Sequence, residues 1–155
     1  MLAVRTGRGF TLPELMIVIT VMAVMLAIGV PSFAEFIRNQ RVKTASFEVF
    51  ASLVFARSEA ITRNTSVTLT PTGANWANGW IVTYVDGGGT TQTLRTREAF
   101  PTITIAGPAS IVYRGSGRLT AAVTPFQLSA TGPTVTTRCV TIDSSGRPTT
   151  KATAC

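Results

Sequence analysis

Three hydropathy patterns follow one another along the chain. From Leu15 to Val30, sixteen residues run with Thr20 as the sole polar side chain. With Phe10, Leu12 and Pro13 in front, the stretch approaches the ~20 residues with which a helix crosses a bilayer. Behind it the period changes. Phe33, Phe36, Ile37, Val42, Ala45, Val49, Leu53, Ala56 and Ala60 recur mostly at spacings of three and four, with Arg38, Arg41, Lys43, Glu48 and Arg57 between them. That spacing predicts an amphipathic helix from about Ser32 to Arg63, its apolar stripe laid on a sheet and its end marked by Asn64, Thr65 and Ser66. Pro31 stands between the two helical stretches, where it would break or kink a regular helix.

From residue 65 the alternation becomes two. Ser66 to Thr70 reads as a first strand, and Asn78 to Val85, the turn Asp86 to Gly89, and Thr90 to Thr96 as a hairpin. Further predicted strands are Thr102 to Ala106, Ser110 to Arg114, Arg118 to Val123, Phe126 to Ala130 and Thr136 to Asp143. Trp76 and Trp80 are expected to pack against the sheet. The fold class is therefore α+β, a long N-terminal helix packed on a C-terminal antiparallel sheet domain.

Composition narrows the chemistry. The 155 residues hold one globular domain with a modest core, and they contain no histidine. A Ser or Cys nucleophile thus lacks its usual base and a zinc site its usual ligand. The acids from Arg38 onward (Glu48, Glu59, Asp86, Glu98, Asp143) are scattered, and Asp86 to Gly89 is not followed by the Gly-Lys-Ser/Thr of a phosphate loop. No catalytic constellation, metal site or cofactor is expected. Arg57, Glu59 and Arg63 read as helix surface charges, worth a few tenths of a kcal/mol.

Arg5 and Arg8 precede the apolar run with no acid nearby, which keeps the N-terminal flank cytoplasmic. A secretory signal would offer a small-residue cleavage site after the run, and none stands before Pro31 and Ser32. A plain membrane anchor fits the run but leaves Glu14 unexplained, because an ionisable group at the edge of a span is costly.

Gly9-Phe10-Thr11-Leu12-Pro13-Glu14, with the apolar run behind it, resembles the processing site of type IV pilins and pseudopilins. The resemblance implies that a prepilin peptidase cleaves between Gly9 and Phe10 on the cytoplasmic side and N-methylates Phe10. Glu14 then becomes the fifth residue of the mature chain, the position that family keeps acidic. The new amine of Phe10 would sit in an apolar bundle, where a carboxylate on a neighbouring subunit relieves the desolvation of both charges. That pair sets the height of a subunit in a filament more than it adds stability. Pro13 falls in the first helical turn, where its missing N–H matters little, and pilins similar to this one often carry a Pro at the place of Pro31 and run on as one long, bent or locally melted helix.

The string Ala56-Arg-Ser-Glu-Ala-Ile61, with the following Arg63-Asn64, resembles the helix end of the minor pilins FimT and FimU and of the secretion pseudopilin GspH. Trp76-Ala-Asn-Gly-Trp80, Ile111 to Gly117 and Cys139 to Arg147 resemble the same family's C-terminal domain, with residues 87–109 the least matched. The domains then read as 1–9 prepilin leader, 10–31 transmembrane helix, 32–64 amphipathic continuation and 65–155 β-rich domain. Expected partners are other major and minor pilins, the prepilin peptidase and an inner-membrane assembly platform. The expected place is a single pass of the inner membrane, cytoplasmic N-terminus and periplasmic domain, and then a pilus or pseudopilus. In that oxidising compartment Cys139 and Cys155 are expected to form a structural disulfide. Closing their 15-residue loop is worth roughly 3 kcal/mol and staples the chain end to the last full strand.

Charge adds one candidate ligand. From Arg38 onward there are 12 basic and 5 acidic residues, a formal +7, which favours anionic partners. In FimT of transformable bacteria a C-terminal G-R-x-R motif is associated with DNA binding. Here Gly146-Arg147-Pro148-Thr149 lacks the second Arg, and Arg138 and Lys151 are the residues that would substitute for it in space. Arg138, Arg147 and Lys151 are therefore the candidate DNA contacts. The expected function is that of a minor type IV pilin, structural or initiating, with DNA capture as a further role; the alternative is a GspH-like pseudopilin of type II secretion.

Overall fold

A computed structural model describes residues 10–155, the side chains at 28 and 30–32 excepted. The proposed leader, residues 1–9, and Gly9 with it, lie outside the described residues. The chain divides into two compact units at Phe36/Ile37, and each is taken by itself.

The described part of the first unit is helical from Leu12, the start of α1 (Leu12–Arg63). Its described side chains from Leu12 to Leu26 are exposed, and the rings of Phe33 and Phe36 lie 6.4 Å apart. Pro31 does not end the element. Among the described residues no helix is long and apolar enough to cross a membrane, so the span expected over 10–31 rests on the sequence pattern alone.

In the second unit the rest of α1 buries the stripe its period predicts: Val42, Ala45, Val49, Leu53, Ala56 and Ala60 are all at or near zero exposure. Three of the six are alanine, which lets backbone and sheet approach closely. The helix ends as Asn64 predicted. Asn64 adopts φ 49°, its N–H donates to the Ile61 carbonyl, and the Thr65 N–H donates to Ala60 at 3.2 Å, the paired bonds of a left-handed C-terminal cap.

Among the described residues eight strands form two antiparallel four-stranded sheets. The first has the order β3 (Thr91–Arg97), β2 (Trp80–Val85), β1 (Val67–Pro71), β5 (Ile111–Tyr113). The second has the order β4 (Thr104–Ala106), β6 (Phe126–Ser129), β7 (Arg138–Ile142), β8 (Pro148–Lys151). The stripe of α1 forms one core cluster with Val67, Leu69, Val82 and Ile111 of the first sheet and Ile105, Phe126, Leu128 and Val140 of the second. Trp76 and Trp80 bridge the sheets as expected of packing residues. Phe126 meets Trp76 edge-on at 4.8 Å, Trp76 lies 6.0 Å from Trp80, and Trp80 stacks on Phe100 at 5.7 Å.

Two expectations are corrected. Arg118 to Val123 is not a strand: Leu119 makes an isolated bridge to Tyr113, Thr120 and Ala121 form a bend, and the rest is irregular. Its alternation is weak, Ala121-Ala122 giving small side chains on both faces. Pro148–Lys151, unassigned in the sequence, pairs with β7 in register Cys139↔Lys151 to Ile142↔Pro148. Proline at the first position of an edge strand loses no ladder bond. The strand carrying Cys139 is thus not the last.

Candidate functional site

At the chain start Glu14 sits in the first turn of α1, where a carboxylate complements the helix dipole. Glu14 and Phe10 are both exposed, Phe10 at 79%.

At the other end Cys139 and Cys155 are joined, with Cα atoms 5.1 Å apart. The bridge spans β8 and ties the chain end to β7 from outside the sheet.

The three candidate DNA contacts do not form one patch. Directly opposed residues in an antiparallel pair share a face and successive residues alternate. Lys151 is opposite Cys139, so it shares that outer face with Gln127. Arg138 is opposite Leu128 and therefore lies on the core face, half-buried at the strand's start. Arg147 is exposed in the turn before β8, four residues or about 13 Å along the strand from Lys151 at ~3.3 Å per residue.

Arg147 has other company. Its turn, Asp143–Arg147, packs back to back with the turn Arg114–Arg118. A methyl group on Gly146 would fall 2.3 Å from the Gly117 carbonyl oxygen and 3.0 Å from the Tyr113 ring, and Gly146 has φ 82°; only glycine fits. Arg57 of α1 donates from Nε to the same Gly117 oxygen at 3.0 Å. Arg57, Arg114, Arg118 and Arg147 thus gather around two loops, with Asp143 as the acid among them. Tyr113 lies beneath, and burial pushes its phenol well above its usual value.

These two turns have a third relative in the hairpin at Asp86. In each, the first residue donates its N–H to the carbonyl of the fifth: Asp86 to Thr90, Arg114 to Arg118, Asp143 to Arg147. The fourth residue is a glycine with φ between 74° and 82°, donating to the first carbonyl. This is a type I turn followed by a left-handed residue. In two of them the first residue is aspartate. Asp86 Oδ1 accepts the Gly88 and Thr90 N–H groups at 3.0 and 2.9 Å, and Asp143 Oδ1 accepts the Arg147 N–H at 2.9 Å and the Ser145 hydroxyl at 2.7 Å. Both carboxyls are held below their ordinary range, Asp86 chiefly by the Gln92 amide and Asp143 chiefly by the Ser145 hydroxyl. Arg114 and Arg118 were not among the sequence candidates. The strand-then-X-x-x-Gly-x repeat (DGGGT, RGSGR, DSSGR) is the signal that finds them.

Two other arginines are engaged elsewhere. Arg63 pairs with Glu59 at 2.7 Å and covers Tyr84, and Arg97 pairs with Glu48. Among the described residues no group of three or more His, Cys, Asp or Glu is placed to hold a metal.

A helix that buries one stripe on a two-sheet β domain is the architecture of a pilin-type subunit. Residues 45–146, more than half the chain, match the family model of the type II transport protein GspH, and residues 5–30 match the prokaryotic N-terminal methylation motif. The chain belongs to the GspH family, whose members are pilin-type structural subunits and not enzymes. Its fold is similar to that of the type IV minor pilin FimU of Pseudomonas aeruginosa (TM-score 0.63, 22% identity, 75% of this chain and 92% of that one). It is also similar to the minor pseudopilin EpsH of the type 2 secretion system of Vibrio cholerae (TM-score 0.56, 15% identity, 72% and 97%). Comparison with curated proteins finds no match.

Proposed function

We propose that the chain is a minor type IV pilin. It is made with the leader 1–9, anchored in the inner membrane through 10–31 with the domain 65–155 in the periplasm, cleaved and methylated at Phe10, and built into a pilus on the assembly platform beside other pilins. The observation that carries this reading is a second apolar side on α1. Round the helix from the buried stripe, Phe47 and Val54 lie seven residues apart on one side and are 50% and 43% exposed. A helix in a self-contained domain turns its outer side to water with polar groups, so an apolar outer side calls for a neighbour. The exposed apolar residues from Leu12 to Leu26 make the same demand of a bilayer or a bundle of like helices. The reading predicts that the chain is recovered in filaments sheared from the cell surface, stoichiometrically minor to a major pilin. Its absence there, with retention in a periplasm-spanning secretion apparatus and loss of exoprotein export on deletion, would instead establish the GspH-like pseudopilin.

DNA capture is a second reading, favoured by the arginines gathered around the Arg147 turn. Phosphate contacts require surface charge more than a fixed motif. The full chain in detergent is expected to retard a DNA fragment, with binding that weakens steeply between about 50 and 200 mM salt. Retardation indifferent to salt, or none, would sink it.

A further inference from the structure

The three sister turns differ in one chemical respect. In the turn that begins with Asp86 a carboxylate of the chain sits against the N–H groups of the third and fifth residues, and in the turn that begins with Asp143 against the N–H of the fifth and the hydroxyl of the third. The third turn has the same backbone hydrogen bonds and the same left-handed glycine, Gly117 at φ 74°. It begins with Arg114 instead. Among the described residues no carboxylate takes the corresponding place; Ser116 and Arg118 are exposed residues, and no backbone hydrogen bond donated by either is found. Successive amides in this conformation make a concavity for an anion. Here the group that would fill it from within has been replaced by a cation.

We propose that the Arg114–Arg118 turn is a phosphate-binding nest: the N–H groups of Ser116 and Arg118 take phosphate oxygens, and Arg114, Arg118 and Arg147 supply the charge. All three arginines are exposed. Arg147 reaches the nest because Gly146 packs on the Gly117 carbonyl, which Arg57 also holds from the helix. The two faces of the site are thus braced by α1 and by the neighbouring turn. Asp143, the nearest acid, is committed to its own turn through the Ser145 hydroxyl and the Arg147 N–H. A lone carboxylate is satisfied by two amides. Three guanidinium groups in addition suit a phosphate, which offers more oxygens and forms forked bonds with arginine. The phosphate can be free or part of a nucleic-acid backbone. The nest does not depend on the filament reading, and it relocates the DNA reading from Arg138 and Lys151 to this turn.

The test uses the 15N-labelled full chain in maltoside micelles, titrated with inorganic phosphate and separately with oligothymidylate, against sodium chloride at matched ionic strength. Saturable amide shifts are expected at Ser116 and Arg118, with Gly88 and Ser145, whose places are filled by Asp86 and Asp143, unmoved. Arg114→Asp rebuilds the sister sequence and is expected to fill the nest from within. It should abolish both titrations, while amides elsewhere in the spectrum stay in place and report an intact fold. Arg114→Glu carries the same charge on a side chain too long for the turn, and should leave the Ser116 and Arg118 amides less protected from exchange than Arg114→Asp does. Equal shifts in all three turns, no saturation with phosphate, or full binding by Arg114→Asp would overturn the nest. If phosphate titrates the nest and oligothymidylate binds nowhere, the nest stands and the DNA reading falls. If oligothymidylate shifts only amides outside this turn and phosphate shifts none, the nest falls and the DNA reading survives.

Discussion

Glu14→Ala is expected to leave cleavage between Gly9 and Phe10 intact and to remove the chain from filaments. In the proposed processing step the scissile bond precedes the helix, and Glu14 lies beyond it in the first turn of α1. Assembly is a different matter. In the proposed filament the cleaved amine of one subunit enters an apolar bundle, and a carboxylate from a neighbour neutralises it. Taking one partner from a buried pair leaves a bare charge, at a cost of about 3–5 kcal/mol. At ~1.4 kcal/mol per tenfold that is a loss of roughly two to three and a half orders of magnitude in subunit incorporation. Glu14→Gln keeps the shape and one hydrogen bond and should be nearly as defective, because the charge is the missing element. The measurement is the ratio of processed chain in sheared filaments to processed chain in membranes. An unchanged ratio for Glu14→Ala would refute the docking role, and accumulation of unprocessed chain would reassign the residue to the peptidase step.

Phe126→Ala is expected to cost about 3–5 kcal/mol of domain stability, the usual loss for deleting a buried aromatic ring. Phe126 is fully buried in the second sheet and meets Trp76 edge-on at 4.8 Å, and through Trp76 it is linked to Trp80 and Phe100 beside the first. The contact is tight from the other side as well, since a methyl group on Gly107 would lie 2.5 Å from the ring. The cavity therefore opens at the seam between the sheets, where the rigid backbone at Gly107 limits collapse. Thermal or denaturant unfolding of the full chain in detergent reads the effect, and Phe126→Leu should recover a large part of it. A loss under ~1 kcal/mol for Phe126→Ala would show that the seam relaxes and that the aromatic chain is not what joins the two sheets.

The parts of this molecule legible in the sequence are those carried by local pattern. The buried stripe from Val42 to Ala60 follows the 3.6-residue period position by position, and Asn64 ends the helix by the left-handed conformation its side chain tolerates. The Asp86 turn and seven of the eight strands follow from alternation and glycine placement. β8 escaped because four residues beginning with proline carry little alternation, and only pairing with β7 makes them a strand. Arg118 to Val123 misled for the converse reason, a short run with strand-like residues that finds no partner beyond Leu119.

The candidate ligand residues show the same division. Neighbours in sequence, Arg147 and Lys151, are held apart by an extended strand, and Arg138 and Lys151 are sent to opposite faces by the register. Arg114 and Arg118, about thirty residues before Arg147, are brought beside it by the contact between two glycine backbones. By itself the sequence determined the N-terminal methylation motif, the amphipathic helix, the β-rich class of the domain and the presence of two cysteines, because each is written in residues adjacent along the chain or spaced by one helical or strand period. Tertiary structure alone decided which strands pair, which face each arginine takes and which turns touch. Those depend on register and on close backbone approach between segments far apart in the chain, and no local period records either.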